Sequence, residues 1–318
     1  MLTYLVRRWL LLIPTLALAS VLIFAIITLA PGDPVRMKIG FEATAQEVAA
    51  ERERLGLNKP LPVRYVVWLS DIAHLDLGRS LVNSRPVTTL IGDAFPNTLR
   101  LALAAFAVSL SIGLPLGMVA ALNRNARLDA AITGLTSLGL GIPAFWLGLM
   151  LILLFAVTLH LLPPSGVGNP GQPWYFSLQF LVLPTATIAL SNMSVFARFV
   201  RSAMLDVLGA DFVRTARAKG LREVSVLGRH ALRNALLPVV TILGIQFGRL
   251  LGGAVVTEAV FAYPGLGFLV VSSIQNRDYP VVQGALMLVV AIFLLTSMVV
   301  DLSYAYLDPR VTLRTTRT

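Results

Sequence analysis

The side chains that most often carry chemistry are sparse or scattered in this sequence. Its three histidines, His74, His160 and His230, lie far apart, and no two of them have the spacing of metal ligands. Cysteine is absent, which excludes disulfides, thiolate metal sites and cysteine nucleophiles. No Gly-x-x-x-x-Gly-Lys-Ser/Thr loop for nucleotide phosphates occurs. We therefore expect no catalytic residues, no metal site and no bound ATP in this chain.

Among the polar side chains inside long apolar stretches, where a charged or polar group is costly and often functional, three are candidates for contact with a substrate. Arg249 interrupts the apolar stretch 234–257. It is predicted to line a pathway and meet a carboxylate or carbonyl of a substrate, to form a structural pair, or to lie near water. Asn192 and Gln246 offer hydrogen bonds either to a substrate backbone or between helices. These interpretations stay open at the level of sequence.

The composition places these stretches in a membrane. Charged residues make up only 13% of the 318 residues and the mean hydropathy is +0.78, whereas a soluble protein carries about 25% charged residues. A bilayer core about 30 Å thick needs roughly 20 apolar helical residues. Six charge-poor runs have this length: 10–30, 101–122, 130–162, 177–197, 234–257 and 281–300. We expect the first run to be a retained helix, because it is longer than a signal-peptide core and lacks a clear cleavage site.

The net charge of +10 is distributed unevenly along the chain, and this predicts its orientation. Lysine and arginine concentrate before the first span, between the second and third, between the fourth and fifth, and after the sixth. The short loops on the other side, 163–176 and 259–280, carry only Arg277. Basic residues near helix ends resist translocation, so both termini are predicted to be cytoplasmic.

The long segment that follows the first span is nearly neutral and is predicted to be an extracytoplasmic insertion. Thr44 is placed to cap a helix over 43–55, with Glu47 completing a capping box and Gly56 ending the helix. A second helix is predicted over 62–75, where apolar residues recur at helical spacing. Whether the insertion only packs or also contacts a partner stays open.

The segment between the fourth and fifth spans is too polar to cross a membrane, yet it is strongly patterned. Apolar residues recur at helical spacing on both sides of Gly209, which predicts two short helices joined by a turn. Asp211 is placed to cap the second helix and Gly220 to end it. Such a basic amphipathic segment either lies on anionic lipid or docks as a short helix in a groove of a partner protein.

Two parts of this segment resemble a known motif. The sequences RTARAKGL at 214–221 and RHALRNALLP at 229–238 are similar to the cytoplasmic EAA-type loop of ABC importer permeases. Residues 214–216 stand where the family has Glu-Ala-Ala, and Gly220 stands at the family's glycine. The acidic first residue of the triplet is replaced here by Arg214.

The departures from the general motif resemble the dipeptide, oligopeptide and nickel branch of these permeases. Arg233 replaces the usual proline, and His230, Leu232 and Asn234 supply the His-x-Leu-x-Asn ending of that branch. The opening YLVRRWLLLIPTLALASVLIFAIITLAPGDP, the external DLGRSL and the later LGGAVVTEAVFAYPGLG also look like it. The resemblance covers essentially the whole chain.

The resemblance implies an all-α integral membrane protein with six transmembrane helices and the type I ABC importer permease fold. The expected divisions are an N-terminal helix over 1–30, an extracytoplasmic insertion over 31–95, a permease core over 96–308 and a cytoplasmic tail over 309–318. The core includes a coupling loop over 198–236. The residues expected to couple this loop to an ATPase are Asp211, Arg214, Thr215, Ala216, Arg217, Ala218, Lys219, Gly220, Leu221 and His230.

The implied function is ATP-driven uptake of di- or oligopeptides across the cytoplasmic membrane of a prokaryote. The implied partners are a second homologous permease in a heterodimer, two cytoplasmic ATPase subunits that hold ATP and Mg²⁺, an extracytoplasmic substrate-binding protein and membrane lipid, with no nucleic acid. Nickel chelates, glutathione or oligosaccharides are alternative substrates. An intramembrane enzyme and a secondary transporter are disfavoured, because few titratable residues and no inverted repeat are seen in the spans.

Overall fold

The computed structural model describes residues 2–29, 34–40, 42–122, 126–168, 171 and 173–307, and these residues are almost entirely helical. In chain order the helices are α1 (Leu2–Leu29), α2 (Pro34–Ile39), α3 (Ala45–Arg54), α4 (Leu61–Ala73), α5 (Val87–Leu122), α6 (Ala126–Gly141), α7 (Ala144–Leu151), α8 (Trp174–Leu208), α9 (Asp211–Ala218), α10 (Glu223–Ser225), α11 (Arg233–Gly253), α12 (Val255–Val260), α13 (Leu266–Gln275) and α14 (Tyr279–Leu307). Two π-helical segments, Ile152–Thr158 and Val226–Leu232, directly follow α7 and α10. The predicted all-α fold is confirmed, while the predicted tail 309–318 lies outside the described residues.

The described helices supply five spans long and apolar enough to cross a membrane, and a sixth if one bent pair counts as a single span. The five are Leu12–Leu29, Val87–Leu122, Tyr175–Leu208, Pro238–Val260 and Tyr279–Val300. The bent pair replaces the predicted third span, and its halves meet at 98°. The bend falls at Pro143, which has an extended backbone and cannot donate a hydrogen bond to continue the preceding helix.

The fourth span does not end where its apolar run ends. We predicted a separate short helix before Gly209, but α8 continues without a break to Leu208, so that prediction is wrong. The reason is that its buried face carries on beyond the apolar run. Val200 and Met204 are almost fully buried against Ala235 and Val239 of α11.

The chain divides into two compact units, one comprising residues up to Leu99 with Pro264–Leu294 and the other comprising the rest. In the first unit, Val87, Ile91, Val281 and Ala285 form a buried core with residues of α13. Gly284 permits close packing there, because an added Cβ would lie 2.8 Å from Val87 Cγ1.

Hydrogen bonds near the ends of helices also hold the first unit together. The Ser80 hydroxyl donates to the buried Asp278 carboxylate, which also accepts from the Leu81 backbone N–H at 3.0 Å. The Thr98 hydroxyl accepts from the backbone N–H of Leu266 at 2.7 Å. The first two bonds join the segment before α5 to the turn between α13 and α14, and the third joins α5 to α13.

The helices predicted for the insertion are present. The Thr44 hydroxyl accepts from the backbone N–H of Glu47 at 3.3 Å while the Glu47 carboxylate accepts from the backbone N–H of Thr44, so the predicted capping box is confirmed. Gly56, with a φ of 65°, ends α3 in a Schellman motif, since its N–H and that of Leu57 return to carbonyls of the last turn. The second predicted helix is α4.

In the second unit, α5 and α8 approach each other through glycines. Gly113 and Gly117 are one turn apart, and an added Cβ at Gly117 would lie 2.5 Å from the Ala197 carbonyl oxygen. Phe106 packs edge-on against Phe196 of α8 and Phe247 of α11. This Gly-x-x-x-Gly pair therefore sets the spacing of two membrane helices by backbone contact, as is common in bilayers.

Candidate functional site

The helix α9 is a short amphipathic element with one buried face. Val213 and Ala216 are buried against Val226 of the following π-helical segment, and Val207 of α8 packs on the same cluster. The opposite face is solvent-exposed and carries most of the predicted coupling residues: Arg214, Thr215, Arg217, Ala218, Lys219 and Gly220. Ala216 lies on the buried face, where its small side chain fits the internal contact.

The ends of α9 agree with the predictions at one terminus only. Gly220 has a φ of 74°, its N–H donates to the Arg217 carbonyl at 2.9 Å and the N–H of Leu221 donates to the Ala216 carbonyl at 3.4 Å. This is a Schellman motif, so the predicted C-terminal glycine is confirmed. The predicted cap at Asp211 is wrong, because Ala210 occupies the N-cap position and Asp211 is the first helical residue.

Charges on the exposed face are partly neutralised within the loop. The Arg217 guanidinium donates to the Glu223 carboxylate at 2.6 Å, and this hydrogen bond raises the pKa of Arg217. The Arg214 guanidinium lies 3.5 Å from the Asp211 carboxylate, where both side chains are largely exposed. Together with Lys219, these groups leave a basic surface with exposed apolar neighbours, the most exposed being Val224 at 82%.

The loop is attached to the membrane helices through a second buried cluster. Ala231 of the π-helical segment packs with Val200 and Met204 of α8 and with Ala235 of α11. His230 lies half-buried in the same segment, and its carbonyl accepts from the Asn234 amide at 2.7 Å. A displacement of α9 would therefore be transmitted to α8 and α11, since close-packed contacts transmit strain.

An ion pair that the sequence did not reveal lies near this loop. The Arg201 guanidinium of α8 donates two hydrogen bonds to the Asp129 carboxylate of α6, at 2.8 and 2.7 Å. In the sequence Arg201 counts only as one of many basic residues, and nothing identifies a partner 72 positions away. This bidentate pair joins α6 to the part of α8 that leads into the loop.

The three polar residues predicted for a pathway form one hydrogen-bonded chain between α8 and α11. The Arg249 guanidinium lies 3.5 Å from the Gln246 amide oxygen, and the Gln246 amide donates to the Asn192 side-chain oxygen at 3.2 Å. Asn192 in turn donates to the Ile188 carbonyl at 3.0 Å. Gln246 is only 9% exposed, whereas Arg249 is exposed on the surface of α11. The side-chain amides of Asn192 and Gln246 thus join α8 to α11, and Gln246 also contacts the outward-facing guanidinium of Arg249.

Two further features limit the chemistry of the described residues. No group of three or more His, Cys, Asp or Glu residues in the described part of the chain could hold a metal ion. Glu258 is fully buried in α12, nine positions after Arg249 in the chain and beyond the end of α11. Tyr263 beside it is also buried, which raises the pKa of its hydroxyl to about 12. These residues form part of a packed turn.

Comparison with known proteins places this arrangement in a family. The family described as "Binding-protein-dependent transport system inner membrane component" matches residues 113–313, and "Binding-prot-dependent transport system membrane comp, N-term" matches residues 1–102. The chain belongs to this family. It is the permease of an ABC importer and a multi-pass protein of the inner membrane, as the resemblance predicted.

The curated relatives of the permease span nearly its whole length. It is 43% identical over 311 residues to "Glutathione transport system permease protein GsiC" of Salmonella typhi, which covers 98% of this chain and 99% of the relative. It is 39% identical to "Probable peptide ABC transporter permease protein y4tP" of Sinorhizobium fredii, over 97% and 98% of the two chains. A solved inward-facing structure of the MetNI methionine ABC transporter shares the fold, with a TM-score of 0.60 and 21% identity over 71% of this chain and 99% of that one. The predicted type I importer fold is confirmed.

Proposed function

We propose that the permease imports di- or oligopeptides that a substrate-binding protein delivers from outside the cytoplasmic membrane. The single observation that carries its role is the placement of α9, which is exposed on one face and fixed by its other face to a segment packed on α8 and α11. A partner that binds the exposed face of α9 can displace this helix, and its buried contacts transmit the displacement to the membrane helices.

The coupling follows from this packing. Closure of a pair of cytoplasmic ATPase subunits displaces α9 as a rigid body, and its buried contacts carry the motion into α8 and α11. The exposed Arg214 and Lys219 pair with acidic groups of the ATPase, while Gly220 lets the chain turn beside it. ATP and Mg²⁺ belong to these partners, and the permease itself catalyses no reaction.

The substrate assignment rests on chemistry within the fifth span. Arg249 is a cation in an apolar helix and faces outward from this chain, where a second, homologous permease completes the pathway. A guanidinium fixed by Gln246 matches the terminal carboxylate or a carbonyl of a peptide. Glutathione, itself a tripeptide, is the foremost alternative because several relatives, 42–43% identical to this chain, bear that name. Nickel chelates and oligosaccharides are further alternatives.

The proposed orientation puts both termini and α9 in the cytoplasm and the segment that contains α2, α3 and α4 outside. It rests on the concentration of basic residues in the α9 loop. In this arrangement residues 96–308 form the permease core and residues 31–95 an external insertion.

Isolation of the permease from its native membrane in mild detergent, followed by mass spectrometry, tests the proposal. Recovery of a second permease and of ATPases with nucleotide-binding loops is the expected result. Uptake of a labelled dipeptide by cells that carry the transporter, in competition with unlabelled peptides or glutathione, then identifies the substrate. Recovery of the chain alone after crosslinking would contradict the coupling role, and competition by glutathione but not by peptides would contradict the peptide assignment.

A further inference from the structure

A cavity of about 570 Å³ lies in the first unit, away from the coupling loop. Its walls come from the end of α1, the turn between α3 and α4, one face of α4 and the start of α14. Four cationic side chains line it, against a single carboxylate, Asp71. The cations are Arg52, Arg54, Lys59 and Arg64. The cavity therefore carries an excess of positive charge.

Of the four cations, Arg64 is the one that combines partial burial with the lack of a counter-ion among the described residues. Its side chain is half-buried, and burial lowers its pKa. No described residue forms a hydrogen bond or ion pair with its guanidinium; Asp71, two turns further along α4, does not reach it. Arg54 differs, because it is bonded to Glu51 at 2.8 Å. A half-buried guanidinium without a counter-ion favours an anionic ligand, because an unpaired charge is costly to bury.

The remaining walls match the boundary between lipid tails and headgroups. Phe24, near the end of the first span, contacts Tyr65 and Trp68 of α4 with ring centroids 5.4 and 5.7 Å apart. Tyr279 lines the cavity where the last span begins. Aromatic residues of this kind concentrate at membrane interfaces, so the cavity has an apolar floor in the span and a basic rim beside it.

We propose that this cavity binds the headgroup phosphate of an anionic phospholipid, with an acyl chain along the exposed apolar side of α1. The phosphate ester meets Arg64 and Lys59, and Ile27 with Phe24 contacts the glycerol and upper acyl carbons. The cavity volume of about 570 Å³ is in the range of small-molecule sites, about 300–1,000 Å³. This size suits a lipid headgroup better than the surface of a protein partner. The inference is independent of the transported substrate.

The test is lipid retention by the purified transporter complex. The complex is mixed with equal amounts of phosphatidylglycerol and phosphatidylcholine in detergent and passed through gel filtration, and the bound lipids are quantified by mass spectrometry. Wild type is expected to retain phosphatidylglycerol selectively. Arg64→Gln is expected to retain it about fivefold less strongly, which corresponds to about 1 kcal/mol for one cation near a lipid surface.

Two variants separate charge from folding. Arg64→Lys keeps the charge and is expected to restore most of the retention, whereas Arg36→Gln, which removes a cation of the same insertion outside the cavity, is expected to leave it unchanged. Equal retention by wild type and Arg64→Gln would overturn the proposal. So would tighter binding of inorganic phosphate than of the lipid, or a loss of binding-protein association in Arg64→Gln with lipid retention intact. Uptake of peptide is measured separately and does not enter this result.

Discussion

Gly220 holds a backbone conformation that few other residues adopt, at the end of the helix proposed to meet the ATPase. An added Cβ there meets no atom within 4 Å, so a substitution acts through conformation and charge and not through an internal clash. Asparagine and aspartate both tolerate a positive φ and have nearly the same size. The pair Gly220→Asn and Gly220→Asp therefore isolates the effect of a charge.

We expect Gly220→Asp to insert normally but to lower ATP-driven uptake about tenfold or more, because an unpaired charge buried in an interface costs about 2 kcal/mol or more. Gly220→Asn is expected to lose much less. The measurements are uptake of labelled peptide and the amount of each variant in the membrane. Undiminished uptake by Gly220→Asp at normal abundance would argue against docking through α9.

The proposal that the substrate is a peptide depends most directly on Arg249. Arg249→Gln is expected to reduce uptake of peptides with a free carboxylate about tenfold, since a hydrogen bond to a charged group contributes about 1.5 kcal/mol or more. Arg249→Lys keeps the charge and should retain more uptake. Peptide amides, which lack the carboxylate, are the comparison in the same cells. If Arg249→Gln reduces the uptake of peptide amides and of free-acid peptides equally, the guanidinium does not bind the carboxylate.

At the scale of elements, the contact between α5 and α8 depends on glycines, which have no side chain at this interface. Gly117→Val would place Cβ within 2.5 Å of the Ala197 carbonyl, and overpacking of this kind costs about 1–3 kcal/mol. We expect a lower melting temperature for the purified variant. Gly92→Val in the same helix is the control, because an added Cβ at Gly92 meets nothing within 4 Å. Equal melting temperatures for both variants would show that the close approach of the helices is not needed.

The attachment of α3 to α2 is expected to depend on pH. The Glu51 carboxylate accepts from Arg54 at 2.8 Å and lies 2.9 Å from the Lys38 ammonium, and these contacts lower its pKa from 4.5 to about 2. Because the folded pKa is depressed, the stabilisation is present above pH 4.5 and is lost as the pH falls toward 2.

Cleavage by pepsin between α2 and α4 should therefore accelerate over that pH interval in the wild type. Glu51→Gln should already be cleaved faster at pH 4.5, and Glu53→Gln on the same helix serves as the control. A wild-type profile that is flat from pH 4.5 to 2, after correction for pepsin activity, would count against this ion pair as an anchor.

The elements that sequence predicted best are those defined by local rules. The capping box at Thr44 and the C-terminal glycines Gly56 and Gly220 involve residues within one turn of each other, so their spacing is sufficient. The continuation of α8 to Leu208 was missed because the length of an apolar run reports the thickness of the bilayer and not the end of the helix. The buried partners that extend it come from α11, which sequence does not place.

The candidate sites show the same limit. The spacing of Gln246 and Arg249, three residues apart on one helix, predicts that they are neighbours. Their connection to Asn192 was not predictable, since it depends on which helix packs beside α11. The Asp129–Arg201 pair was missed for the same reason.

For the whole molecule, the absence of cysteine makes the proposed orientation directly testable. Val82 is 60% exposed in the insertion and Val224 is 82% exposed in the coupling loop. In cells with a permeabilised outer membrane, an impermeant maleimide is expected to label Val82→Cys at once and Val224→Cys only after the inner membrane is opened. The unsubstituted chain supplies the blank. The reverse labelling pattern would invert the proposed topology.

The π-helical segment Val226–Leu232 sets the rotational phase between the loop and the fifth span. A π-helical turn contains about one residue more than an α-helical turn, and each residue of an α-helix turns the chain by about 100°. If this segment became α-helical with all its residues kept, the face of α11 that carries Gln246 and Arg249 would be rotated by about that angle relative to α9. The π-helical geometry of this segment thus determines the direction in which Gln246 and Arg249 face, although both residues lie about four turns further along the helix.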